Sequence, residues 1–192
     1  MARLRGYGLR ARDGAIGQVV TVLFDQTDWT MRYFVVDTET WMPGRVVGIS
    51  PHVLGEVDID RREIRVHLAR GQVRAAPEAD ALAAQGWRST RELAGLDVMA
   101  HDQAIGTVAD VVIDDAGWHL RYLVVALGHW LPLRKTLLPP EWVQTIDWTA
   151  GTLSAAVEAE VVRSSPAYSD GQEIDRATEE RLFAHYGRPV YW

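Results

Sequence analysis

An all-β chain of two tandem small β-barrels, about six strands each, with a short inter-barrel segment and a C-terminal α-helix, is predicted by three features of the sequence. The chain repeats itself at a single offset, each copy alternates apolar and polar residues with the period of strands, and turn residues separate the alternating runs.

The repeat comes first because it sets the architecture. At an offset of 89 residues the chain matches itself without a gap from Gly6 over Gly95 to Pro77 over Pro166, and about 22 positions are identical. Among them are Asp13/Asp102, Gly17/Gly106, Asp25/Asp114, Trp29/Trp118, Arg32/Arg121, Tyr33/Tyr122, Trp41/Trp130 and Pro43/Pro132. Glycines, prolines and apolar positions recur together, so the repeated object is a backbone fold, and each copy is large enough to build its own core. The expected divisions are a first domain over 1–77, a linker over 78–92, a second domain over 93–170, and a terminal helix and tail over 171–192.

Within the copies, Ile64, Val66 and Leu68 alternate with Glu63, Arg65 and His67, and Leu153, Ala155 and Val157 repeat the pattern. The runs Ile16 to Phe24 and Ile105 to Ile113 carry glycine near their start, which predicts a strand bent by a bulge, as barrel closure requires. Turn residues follow at 25–28 and 114–117, then strands from Thr30 to Asp37 and from His119 to Ala126. Both faces of these strands are apolar: Met31, Tyr33 and Val35 on one, Phe34 and Val36 on the other. A barrel interior covers one face, so the other barrel, the terminal helix or a second chain is expected to cover the second. Shorter strands are predicted at 45–50 and 53–58 and at 134–138 and 142–147. Glu173 to Tyr186 reads as an amphipathic helix with Ile174, Ala177, Leu182 and Phe183 on one stripe, stopped by Gly187 and Pro189.

Composition excludes several chemistries. Cysteine is absent, which removes disulfides, thiolate metal sites and Cys nucleophiles. The net charge of -6 argues against a nucleic-acid partner held by phosphate neutralisation. That charge is uneven: residues 1–77 carry roughly two more positive than negative charges and residues 78–192 roughly eight more negative. No secretory signal and no long apolar run is read, so a soluble cytoplasmic protein without a transmembrane segment is expected.

Candidate sites are few. Asp102, Asp110, Asp114 and Asp115 form an acidic group, but Asp110 and Asp114 lie roughly 13 Å apart on an extended strand, too far for one ion, so no metal is expected. Asp13 and Asp102 are read as turn caps, and Gly17 and Gly106 as bulge glycines. Arg32 and Arg121 are assigned structural ion pairs with Asp25 and Asp114 or with Asp37. Trp41-Met42-Pro43 and Trp130-Leu131-Pro132 sit in a hairpin where polar residues are the rule; each Trp either anchors an interface or folds back to plug a barrel end. No nucleophile elbow, Walker A, dinucleotide fingerprint or histidine-pair motif occurs, so no enzyme and no cofactor is expected.

The same residues carry a family resemblance. Asp13-Gly14-x-Ile16-Gly17, Trp29-x-x-Arg32-Tyr33-x-Val35-Val36-Asp37, Trp41-x-Pro43-Gly44-Arg45 and Val73-x-x-x-Pro77 resemble the PRC-barrel domain, and the second copy departs from it at Gln103 and Leu133. The tail from Arg176 to Trp192 is similar to that of bacterial proteins with two such domains. The resemblance, shared with the C-terminal domain of the ribosome maturation factor, implies a protein-interaction or scaffold module; the apolar outer faces separately suggest self-association, most simply as a homodimer. It also implies an alternative, a peripheral accessory subunit of a membrane electron-transfer complex, as in the soluble part of the photosynthetic reaction-centre H subunit; a metal- or ligand-binding protein is the third reading, ranked below both.

Overall fold

The structure, a computed structural model, describes residues 4–101, 103–128 and 134–190. In chain order the elements are β1 (Gly8–Ala11), β2 (Gly14–Phe24), β3 (Met31–Asp37), β4 (Val46–Ile49), β5 (Leu54–Asp58), β6 (Glu63–Val66), α1 (Arg70–Val73), α2 (Ala79–Ala83) and β7 (Arg88–Ser89). They continue with α3 (Thr90–Leu93), β8 (Asp97–Ala100), β9 (Gln103–Asp114), β10 (His119–Leu127), β11 (Lys135–Leu138), β12 (Val143–Asp147), β13 (Thr152–Ala155), α4 (Ala159–Ser164) and α5 (Arg176–His185). The chain separates into two compact units: residues up to Arg91 joined by the turn Asp114–His119, and the rest from Glu92 onward.

The first sheet runs β4-β3-β2-β1-β6-β5 with β7 added to β2, and the second runs β11-β10-β9-β8-β13-β12. The two orders match term by term, as the repeat requires. In each, the first strand lies in the middle, antiparallel to the second and parallel to the sixth: β1 pairs with β6 through Gly8/Glu63, Leu9/Ile64 and Arg10/Arg65, and β8 pairs with β13 from Asp97/Thr152 to Ala100/Ala155.

The expected closed barrels are corrected in one respect. Each hydrogen-bonded ladder ends at two edges, β4 and β5 or β11 and β12, with no pairing between them among the described residues. The sheets are nonetheless curled. Six strands laid flat would set the edges of the first sheet about 24 Å apart, whereas Ile49 to Leu54 reaches about 17 Å at most when fully extended. Part of that connection is also wound into a 3₁₀ turn, Pro51–Val53. The bulges expected in the long strands supply the bend: the β2–β3 register slips between Val19 and Thr21 and again at Leu23/Phe24.

Each unit closes its own core. In the first, Ile16, Phe24, Phe34, Val36, Val47 and Ile64 are fully buried; in the second, Val98, Leu123, Val125, Leu138 and Leu153 are. Trp29 and Trp118, identical in the repeat, end their turns in the left-handed region with φ of 59° and 54°. Trp29 stacks on Phe24 and Trp118 meets Phe34 edge-on, ring centres 5.5 and 5.0 Å apart, both within the first unit.

The second face of β3 is covered by the segment read from sequence as a linker. Leu82 of α2 buries itself against Leu23 and Val35, with Val20, Tyr33 and Trp87 packed around them, and the Tyr33 and Trp87 rings sit 5.2 Å apart. In the second unit the terminal helix performs that role, as one of the expected alternatives. Asp175 caps α5 by accepting the Thr178 N–H at 2.8 Å, and Leu182 and Phe183 are buried, Phe183 edge-on to Trp142. The stripe differs from the sequence expectation: Ile174 precedes the helix, Ala177 is exposed, and Glu179 occupies the buried position instead. With both second faces covered inside their own units, the apolar surface that motivated a homodimer is already buried.

Candidate docking surface

Trp41 and Met42 are half-buried and Pro43 is exposed. The Trp41 indole N–H donates to the Ile16 carbonyl, and its ring lies under the guanidinium groups of Arg70 and Arg74 at 5.4 and 6.0 Å. Arg70 is itself held, donating from Nε to the Ala15 carbonyl at 2.9 Å while its backbone N–H donates to Asp13 Oδ1 at 2.8 Å. Trp41 is therefore folded back, and Asp13 caps α1, 57 residues away, in place of a local turn. Trp41→Phe keeps the stacked ring and loses the N–H donation, so a loss of about 1 kcal/mol in urea unfolding is expected. Trp130, Leu131 and Pro132, with Asp102, lie outside the described residues.

Arg32 donates to Asp25 and Asp28 at 3.0 and 2.9 Å. The Thr27 hydroxyl and N–H, and after them Arg32, hold the Asp25 carboxyl below the usual carboxylate range. The Asp28 contact was not read from sequence, although it is the local one. Arg121 takes another partner, Glu179 of α5 at 3.4 Å, where the same carboxylate accepts the Tyr122 hydroxyl at 2.6 Å. Gly17 and Gly106 mark where the long strand passes so close to its neighbour that a Cβ would fall 1.8 Å from the Asp37 carbonyl oxygen and 2.0 Å from that of Ala126. In the acidic group, Asp110 and Asp114 accept nearby backbone N–H groups, from Val111 and Ala116. No cluster of three metal-ligating side chains occurs among the described residues.

The surface that stands out was not on the sequence-derived roster. Leu9 and Ala11 of β1, and Ile64 and Val66 of β6, turn inward, so alternation sends Arg10 and Arg65 outward, and the parallel register sets those two side by side. Around them lies an open depression of about 630 Å³ lined by Arg10, Arg12, Arg61, Glu63, Arg65 and His67. The arginines are only loosely engaged: Arg10 to Glu63 at 3.9 Å, Arg61 to Asp58 at 3.8 Å and Arg65 to Glu56 at 3.7 Å. These distances exceed hydrogen-bond length, and such exposed pairs hold their partners weakly. Arg12 and His67 line the same depression.

At the equivalent positions the second copy has Met99 for Arg10, His101 for Arg12, Ala150 for Arg61, Ser154 for Arg65 and Ala156 for His67. There Arg188 donates to the Ala156 carbonyl at 2.9 Å and His101 meets Glu158 at 3.0 Å, beside a hollow of about 230 Å³ that Tyr186 also lines. The duplicated fold thus carries a cationic face on one copy only. Its sequence signal was partly present, in the charge excess of residues 1–77; the pairing of β1 with β6 was not.

No helix among the described residues is long and apolar enough to cross a membrane. No curated protein matches the chain. Among solved structures it is similar to the crystal structure of RimM from Pseudomonas aeruginosa, assigned to 16S ribosomal RNA processing, at 20% identity over 73% of this chain and 78% of that one, with a TM-score of 0.32. The model of the PRC-barrel domain family matches residues 88–150, most of the second sheet. The resemblance carried by the repeated Trp, Arg-Tyr and Trp-x-Pro motifs is thereby borne out for that stretch, which is what the family model matches.

Proposed function

We propose that the chain is a non-catalytic docking module that engages its partner through the arginine-lined face of the first unit. The observation that carries this reading is the divergence of the two copies: one fold is kept twice, and Arg10, Arg12, Arg61, Arg65 and His67 appear on one copy where Met99, His101, Ala150, Ser154 and Ala156 stand on the other. Catalytic groups are characteristically shifted in acidity inside a cleft. Among the described residues, Asp25 and Asp175 cap a turn and a helix and the raised Tyr122 and Tyr186 hydroxyls lie in packed contacts. The PRC-barrel match, a resemblance that implies protein contact, agrees with this reading.

Photo-crosslinking in cells tests the reading. A benzophenone amino acid at Arg61, whose side chain is 79% exposed, is expected to yield a discrete higher-mass adduct, and the same probe at Ala150 is expected to yield none. No adduct from position 61, or one shared pattern from both positions, overturns it.

A further inference from the structure

We infer that the partner presents to this face an extended, Asp/Glu-bearing polypeptide segment. This rests on the docking reading above and names its partner class.

Geometry is the first argument. Arg10 and Arg65 are register partners on adjacent strands, and Arg12 and His67 follow in the turn and the bend just past the ends of β1 and β6. Steps of two residues along a strand advance about 6.7 Å, and neighbouring strands lie about 4.8 Å apart. The lining runs along the strand direction, from Arg61 ahead of β6 to His67 beyond it, a strip that an extended peptide can follow. Each guanidinium offers a planar fork of donors matched to a carboxylate, and the loose pairs at 3.7 to 3.9 Å leave those donors available for closer partners.

The second argument separates polypeptide from nucleic acid. Glu63 lies between the arginines and Glu56 beside Arg65. A phosphate backbone carries one charge per nucleotide without interruption and binds by neutralisation over many contacts, so it cannot avoid these carboxylates. A polypeptide of mixed composition can set a neutral or basic residue opposite Glu63 and acids opposite Arg12 and Arg65. The net charge of -6 also repels a long polyanion more than a short peptide.

Third, β1 and β6 are interior strands with ladder partners on both sides. Their backbone groups are committed, so recognition here proceeds through side chains and not by addition of a strand.

Fluorescence anisotropy with the full chain at low salt tests the inference, using a labelled Glu-Ala alternating peptide, a Lys-Ala peptide, a labelled oligouridylate and phosphatidylglycerol vesicles. The Glu-Ala peptide is expected to bind, and the other three to bind more weakly or not at all. The double variant Arg12→His/Arg65→Ser, which installs the second copy's residues at exposed positions, is expected to weaken that binding about tenfold, the loss of roughly one charge-assisted contact. Its thermal melt is expected to match the parent's, and Glu63→Gln is expected to tighten binding. Tighter binding of oligouridylate or vesicles than of the peptide, no peptide binding, or peptide binding unaffected by the double variant each overturns the inference. Those outcomes leave the docking reading to stand or fall on the crosslink at position 61.

Discussion

Gly106→Ala is expected to abolish the native fold of the second unit. The added methyl carbon would meet the Ala126 carbonyl oxygen at 2.0 Å, its carbon at 2.9 Å and the Leu127 Cα at 3.1 Å. All three are backbone atoms of the adjacent strand β10, so no side-chain rotation relieves the clash; β9 and β10 must move apart, and with them the ladder. Ordinary overpacking costs about 1–3 kcal/mol because side chains give way. Here the cost belongs with the exceptional losses above about 4 kcal/mol, comparable to the whole stability of a small domain. Gly17→Ala is expected to do the same in the first unit, where the contact to the Asp37 carbonyl oxygen is 1.8 Å. Gly44→Ala is the comparison: it has open space around it and φ of 73°, so only the left-handed penalty of roughly 1 kcal/mol applies. Urea unfolding followed by tryptophan fluorescence measures all three, and a Gly106→Ala chain as stable as Gly44→Ala would refute the argument.

Glu179→Ala is the second large effect, with an expected loss of about 3 kcal/mol. Glu179 is 4% exposed, and its carboxylate satisfies both the Tyr122 hydroxyl and Arg121. Removing it takes the carboxylate away from Arg121 and from the buried Tyr122 hydroxyl in the contact between α5 and β10. Glu179→Gln keeps a hydrogen bond for Tyr122 and loses the charge opposite Arg121, so it falls between. The same contact sets an alkaline limit. Burial first, and then the Glu179 carboxylate, push the Tyr122 hydroxyl well above its ordinary value; burial does the same for Tyr186. A group whose folded pKa is raised contributes stability that is complete below the unfolded value, about 10 for tyrosine, and is lost as pH rises beyond it. The melting temperature is therefore expected to hold up to about pH 10 and fall above it. Tyr122→Phe is expected to start lower at neutral pH and decline less steeply.

The parts legible in the sequence were those with short-range or repeated signals. Alternation at Ile64, Val66 and Leu68 gave β6 its inner face, and the repeat doubled every such inference. Contacts joining distant segments were not legible. Nothing local in Gly8–Ala11 shows that it lies beside residues 63–66 in parallel, so the meeting of Arg10 with Arg65 stayed hidden while each arginine read as an ordinary solvated charge. Glu179 misled for a related reason: a carboxylate on a helix reads as outward-facing until Arg121 and Tyr122 are seen opposite it. The segment 78–92 read as a linker because Leu82, its buried anchor, is flanked by alanines that give a weak stripe.

The central placement of the first strand has a consequence for synthesis. Gly8 leaves the ribosome long before Glu63, its neighbour in the ladder. Until then β1 has one flank unpaired, and the sheet stays split across its midline. Such long sequence separations slow folding, so each unit is expected to snap shut only as its last strand is delivered. A nascent chain stalled ahead of residue 63 exposes two raw edges to whatever chaperone is at hand.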